Sequence, residues 1–255
     1  MLKKLFCVLI IAIILAVPSF SYDRTGYGWY CMRNGSAQPC LEPQFSFIEK
    51  YDGYFLDKKP EDKVIYLTFD AGYENGNVAK IADILKKHKA TGAFFVLDNF
   101  IKKESALTRR LAEDGNLVCN HTASHKDMTQ ITDIEQFEAE LAALEQTYNE
   151  YTGLSMPKFY RPPEGKFSEE NLAFAKKLGY KTVFWSLAYA DWDNNAQPDP
   201  EEAIEKLLDN THNGMVLLLH PTSATNAAIL DTLMCRWEQQ GYRFGDLYEL
   251  CDDKA

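Results

Sequence analysis

Polar residues able to do chemistry stand at the ends of apolar runs. Asp70 closes VIYLTFD, His121 and His125 follow NLVCN, Arg161 follows KFY, Asp191 lies beyond KTVFWS, and His220 closes MVLLLH. A carboxylate such as Asp70 can act as a general base, and an imidazole such as His220 can donate a proton near neutral pH. Arg161 and Asp191 can hold these two groups by charge-assisted hydrogen bonds and set their protonation states. His121 and His125, four residues apart, can aim at one ion from a helical turn or a compact loop. That suits zinc, nickel or cobalt if other ligands complete the shell. Each position also has a plainer reading: a strand-end Asp commonly caps the next turn, and HxxxH can be two hydrogen-bonded surface histidines. The chain has 5 histidines, so three of them at such ends is a notable concentration. Cys119 sits beside the first of them but ends an apolar run, where a buried thiol is the commoner outcome than a nucleophile.

Groups that must face one another need rigid carriers. VIYLTFD, GAFFV, NLVCN, KFYRP, KTVFWS, MVLLLH and a weaker run near YRFGDL read as about seven strands alternating with helical stretches. One helix presents Ile134, Phe137, Leu141, Leu144 and Tyr148 as an apolar stripe behind a Thr132 cap with Glu135 three residues on. Another opens at Asp199 with Pro200 and Glu202. This alternation predicts an α/β fold, a distorted (β/α) barrel of parallel strands, because right-handed crossovers place a helix between neighbouring strands. Such a barrel carries its chemistry at the strand C-termini, where the polar residues fall.

The composition, 46% hydrophobic and 25% charged over 255 residues, is that of a globular protein. A formal net charge of -10 argues against a nucleic-acid partner. Lys3 and Lys4 precede an apolar run over residues 5–17, and small residues at Ser19 and Ser21 offer a cleavage point, so residues 1–21 read as a signal peptide. As a helix that run reaches about 20 Å, short of a ~30 Å hydrocarbon layer, although an uncleaved anchor is the alternative. Either way the protein is expected outside the cytoplasmic membrane, touching the membrane only through this segment, as a monomer. Residues 22–62, rich in Tyr, Phe, Pro and Gly, read as an extension packed on a catalytic domain over 63–251. Of the 6 cysteines, Cys7 lies in the leader. Cys31 with Cys40 and Cys235 with Cys251 are possible disulfides, with reduced thiols the alternative.

The ordered segments TFDAG, HTASH, RPPEG, ADW and LLLH resemble the five motifs of the polysaccharide deacetylase family (NodB homology, carbohydrate esterase family 4). TFDAGYENGN, VFWSLAYADW and SFIEKYDGYFL are further similar to the delta-lactam-biosynthetic de-N-acetylases of spore cortex peptidoglycan, over roughly Gly26 to Leu250. The resemblance implies hydrolysis of a sugar N-acetyl group to acetate and a free amine in a NodB-type barrel. It makes Asp70 the base that activates water, His220 the acid for the leaving nitrogen, Arg161 the partner of the base and Asp191 the residue that tunes the acid. His121 and His125 become metal ligands and Trp192 and Leu218 walls around the acetyl methyl. The Glu164 backbone N–H takes the oxyanion position, and Tyr73 and Lys166 join the substrate-binding set.

One departure bears on the metal. The family has a second Asp after the base as third ligand, and this chain has Ala71. Any divalent ion would be weakly held, and dispensable, unless Asn75 or Asp127 substitutes. The subfamily likeness implies a peptidoglycan glycan strand as partner, with N-acetylmuramic acid lacking its stem peptide as substrate, as a step towards the muramic delta-lactam. Glu164 would repel its lactyl carboxylate, whereas Lys166 or Arg161 could attract it. The competing readings are an N-acetylglucosamine deacetylase, acting on chitin or peptidoglycan, and a non-catalytic glycan-binding homologue.

Overall fold

A computed structural model describes residues 22–252, so the leader assigned to residues 1–21 lies outside the described residues. The elements in chain order are β1 (Tyr27–Gly28), a 3-10 helix (Pro43–Tyr51), β2 (Gly53–Tyr54), β3 (Val64–Ala71), α1 (Asn77–Lys87), β4 (Gly92–Val96), α2 (Asp98–Lys103) and α3 (Ser105–Glu113). They continue through β5 (Leu117–Asn120), α4 (Ile134–Thr152), β6 (Phe159–Tyr160), β7 (Lys166–Phe167), α5 (Glu169–Lys177), β8 (Lys181–Val183), α6 (Pro200–Asp209), β9 (Met215–Leu219), α7 (Ala224–Gln239), β10 (Arg243–Phe244) and α8 (Leu247–Leu250).

Every run expected as a strand is one, and the pairings within the main sheet are all parallel. The sheet runs β2-β8-β6-β5-β4-β3-β9, with β10 on the first residues of β3. The eighth member, β2, belongs to the N-terminal extension and is too short to read from sequence. Beyond β8, Leu187 pairs in parallel with Leu217, and the Leu218 N–H donates to the Leu187 carbonyl at 2.9 Å. The two ends of the sheet therefore meet, and the sheet curls into a distorted barrel.

Successive strand residues face opposite sides of a sheet, and here that parity sorts the side chains cleanly. On β3, Ile65, Leu67, Phe69 and Ala71 join the apolar layer under the helices, while Val64 and Tyr66 fill the interior with Phe95, Cys119, Phe159, Val183 and Val216. Thr68 and Asp70 continue the inward row of β3, His121 that of β5, Arg161 that of β6, and Leu218 and His220 that of β9. Each functional side chain is thus the next inward residue after an apolar plug, at the same end of the barrel.

The caps explain where the helices begin. Asp199 accepts from the Glu201 and Glu202 N–H groups, with Pro200 at the first turn, as expected. For α4 the cap is Asp133, which accepts from the Gln136 N–H, one residue later than the Thr132 expected from sequence. A carboxylate is the better partner for a helix N-terminus. The extension packs through Trp29, whose ring stacks on Phe184 at 4.4 Å and whose Nε1 donates to the Trp185 carbonyl at 2.9 Å. Phe45, Phe55 and Phe167 complete this cluster. All five described cysteines are free, so neither anticipated disulfide is formed. Cys119 is fully buried and its pKa is pushed up by burial, which removes it as a nucleophile.

Candidate active site

Two hydrogen-bonded pairs meet at the open end of the barrel. The register of β3 and β9 pairs Thr68 with Leu218 and Phe69 with Leu219, so one step further Asp70 and His220 stand on adjacent strands, both inward. They line a cavity of about 430 Å³ together with His121, His125, Glu164, Gly165, Trp185, Ala188, Tyr189, Trp192 and Leu218.

Arg161 has no exposed surface, and its guanidinium is fully committed. Nη1 donates to Asp70 Oδ1 at 2.8 Å, Nη2 to Thr68 Oγ1 at 2.8 Å, and Nε to the Val183 carbonyl at 2.9 Å. The guanidinium also lies 4.2 Å from the Phe95 ring centroid. Burial pushes the Asp70 carboxyl up, but the positive charge of Arg161, with smaller electrostatic contributions from the neighbouring imidazoles, outweighs it and holds the pKa below the ordinary carboxylate value. Asp70 is therefore ionised at neutral pH.

His220 is set in the opposite direction. Its Nδ1–H donates to Asp191 Oδ1 at 2.7 Å and its backbone N–H to Asp191 Oδ2 at 2.8 Å. Asn226 Nδ2 donates to the same Oδ2 at 2.6 Å, fixing a carboxylate that is itself 1% exposed. Burial alone would lower the His220 pKa, yet the hydrogen bond and charge of Asp191, with the charge of Asp70, raise it above the ordinary histidine value. The cavity thus presents an ionised carboxylate and an imidazole biased towards its protonated form, with Nε2 not engaged by Asp191.

His121 donates from Nδ1 to the Arg161 carbonyl at 2.8 Å. Burial brings its pKa down to about 4, so it is neutral with a lone pair on Nε2, which lies 3.7 Å from Asp70 Oδ2. The His125 ring centroid is 5.0 Å from that of His121, on a turn where Thr122 and His125 both have positive φ and Thr122 Oγ1 accepts from the His125 N–H. A neutral imidazole fixed by a carbonyl is a suitable metal ligand. The donor set fits a divalent ion held by two imidazoles beside Asp70, one ligand short of the three protein ligands of an open catalytic site.

Neither proposed substitute supplies the missing ligand. Asn75 donates to the Thr222 carbonyl and Asp127 caps Thr129, and both lie off the cavity wall. Ala71 is buried in the apolar layer with Val78 and Val96. Among the described residues the only group of three metal-ligating side chains is His88, Asp231 and Cys235, away from this cavity. There both ring nitrogens of His88 are already engaged, by Glu238 and Asp231, and Lys87 pairs with Asp231.

Three substrate-binding expectations need correction. Tyr73 is exposed, off the wall, and accepts from Asn194 Nδ2. Lys166 is also off the wall, its Nζ 2.7 Å from Glu164 Oε2 and 3.6 Å from Asp127 Oδ2, so its charge is already compensated. Arg161 cannot reach a substrate carboxylate because it is fully buried and each of its guanidinium nitrogens already has a partner. Glu164, Trp192 and Leu218 do line the cavity. Glu164 and Gly165 both take left-handed backbone conformations, and a Cβ on Gly165 would come within 2.8 Å of the Trp185 ring. Trp185, Ala188 and Tyr189 were missed as wall residues. Trp185 was within reach of sequence reasoning, two positions past inward Val183. Ala188 and Tyr189 lie on an irregular segment with no period to read.

A barrel with an acid–base pair over its strand ends defines a hydrolase-type site, and the comparisons make the class specific. The profile of the polysaccharide deacetylase family matches residues 57–183. The peptidoglycan-N-acetylmuramic acid deacetylase PdaA of Bacillus subtilis (strain 168) is 41% identical over 209 residues, covering 82% of this chain and 79% of that protein. A solved structure of PdaA, a family 4 carbohydrate esterase, superposes with a TM-score of 0.87 at 37% identity, over 91% of this chain and 100% of that one. A family 4 carbohydrate esterase from Bacillus anthracis gives a TM-score of 0.76 at 34% identity, over 92% and 100% respectively. The chain belongs to the polysaccharide deacetylase family.

Proposed function

We propose that this protein hydrolyses the N-acetyl group of N-acetylmuramic acid in peptidoglycan strands that have lost their stem peptide, releasing acetate and leaving an amine that can go on to the muramic delta-lactam. The observation that carries the reading is the pairing on one cavity of Asp70, whose pKa is held down by Arg161, with His220, whose pKa is raised by Asp191. Two groups tuned apart in this way are matched base and acid, which a site for binding alone does not require.

In this scheme the Asp70 carboxylate takes a proton from water as the water oxygen attacks the acetyl carbon. Negative charge gathers on the carbonyl oxygen, and the backbone N–H of Glu164, a residue of the cavity wall, is the donor assigned to it. His220 Nε2–H then protonates the sugar nitrogen as the C–N bond breaks. Leu218 and Trp192 exclude water from the acetyl methyl. A divalent ion on His121 and His125 would polarise the carbonyl, supplying several kcal/mol of stabilisation. With two imidazoles and no carboxylate as third ligand it would be held loosely.

The muramic assignment draws on the likeness to PdaA over most of both chains. Residues 63–251 are read as the catalytic domain and residues 22–62 as an extension that builds one of its walls. Action on peptidoglycan places the protein outside the cytoplasmic membrane; no described helix is long and apolar enough to cross one. Mass spectrometry of peptide-free glycan before and after treatment tests the reading. The expected result is loss of acetyl from muramic acid, with Asp70→Asn inactive by about 10²–10⁴-fold. Acetate released only from chitin oligomers would refute it.

A further inference from the structure

The proposed substrate carries, on the ring carbon next to its acetamido carbon, a lactyl ether that ends in a carboxylate, yet the two cations first expected to meet it are spent. Arg161 is enclosed by Asp70, Thr68 and backbone carbonyls, and Lys166 is paired with Glu164 and Asp127. A second cavity of about 480 Å³ adjoins the first and shares Trp185, Ala188, Tyr189 and Trp192 with it, while its other side is built by the extension, including Tyr30 and Arg33. Arg33 is exposed, and its Nη2 donates to the carbonyl of Ala188, on the shared wall, at 2.9 Å. Among the described residues no carboxylate lies within 4.0 Å of its guanidinium. The anchored head therefore keeps its remaining N–H groups and its full charge for a ligand.

We infer that Arg33 is the specificity residue for the lactyl carboxylate, rotated into the second cavity when the acetamido group sits between Asp70 and His220. A guanidinium offers two parallel N–H groups to a carboxylate, and one held in advance by a backbone carbonyl loses little freedom on binding. On a chain of net charge -10 an anionic sugar needs such a local cation. The inference rests on the muramic reading and adds the residue that makes it selective.

The test compares kcat/KM on peptide-free glycan strands with free lactyl carboxylates and on the same strands methyl-esterified. Wild-type enzyme is expected to prefer the free acid by about tenfold or more, the scale of one charge-assisted contact. Arg33→Gln should bring the ratio near one, and Arg33→Lys should restore part of it. An Arg33→Gln ratio equal to wild type, whether both rates hold or both fall together, would overturn the subsite. Equal wild-type rates on the two strands would also overturn it, leaving the deacetylase reading intact. No acetate from either strand would instead remove the muramic reading itself.

Discussion

Replacing Asp191 by Asn tests the acid half of the site with almost no change in shape. Oδ2 accepts from two donors, the His220 N–H and Asn226 Nδ2, so the single oxygen of an asparagine will occupy that place. Its NH₂ must then face His220 Nδ1, where the wild-type carboxylate accepts at 2.7 Å. A donor opposite Nδ1 tolerates a neutral ring and opposes the imidazolium, and burial, which already favours the neutral ring, is no longer offset. A charge-assisted hydrogen bond of this kind is worth about 1.5–3 kcal/mol, or roughly 10–150-fold in the protonated fraction at a pH where wild-type His220 is still charged. The sign follows from the raised pKa: wild-type activity persists above the ordinary histidine value and falls on the alkaline side as His220 loses its proton. In Asp191→Asn that alkaline limb moves to lower pH, and kcat at mildly alkaline pH drops by about 10–100-fold, with a smaller loss in acid. A pH–rate profile of acetate release decides it. An equal loss at every pH, with the limb unmoved, would refute the tuning role and leave Asp191 only a structural one.

Arg161→Met should destabilise the fold by about 3–5 kcal/mol in urea unfolding, because it strips Asp70 of its buried partner and leaves Thr68 and two carbonyls short of a donor. In the folded variant the acid limb of activity should move to higher pH as Asp70 loses the charge that keeps it ionised. Enzyme treated with a strong chelator should keep part of its activity and gain from added zinc or cobalt, and the gain should vanish in His125→Ala; identical rates with and without metal would take the ion out of the scheme. Trp29→Ala should cost about 3–5 kcal/mol by the same unfolding assay, since it empties a buried site stacked on Phe184 and frees the Trp185 carbonyl. Because Trp185 is a cavity wall, acetate release should fall as well; full activity in that variant would show that the extension does not shape the site.

Most of the scaffold was legible because one rule governs it. VIYLTFD has Val64, Tyr66, Thr68 and Asp70 on one parity, and the same alternation predicts inward His121 after Cys119, Arg161 after Phe159 and His220 after Leu218. Strand β2 escaped because two residues carry no period, and the α4 cap slipped by one because Thr132 and Asp133 are adjacent candidates and only geometry chooses between them. The cysteines were undecidable: pairing depends on Cα separation, which spacing does not fix.

The parts of the site that sequence could not place are those held by irregular backbone. Asp191 reaches His220 from a segment without secondary structure, and Arg33 reaches the same wall from the extension, some 155 residues away in the chain. Motif order brought Asp191 in through ADW, and its carboxylate does meet His220. It misassigned the substrate cation, because a motif records which residue is present and says nothing of what has already consumed its charge. Lys166 and Arg161 are both cations beside the cavity, and both are paired with neighbouring carboxylates, Asp127 and Glu164 on turns for one and Asp70 on β3 for the other. Arg33 stands in no motif and is the exposed arginine that donates to the shared wall with no carboxylate against it. Selectivity in this protein is therefore carried by a segment that the barrel's own repeat does not encode, which is why chemistry could be read from the strand ends while substrate choice had to be read from the packing.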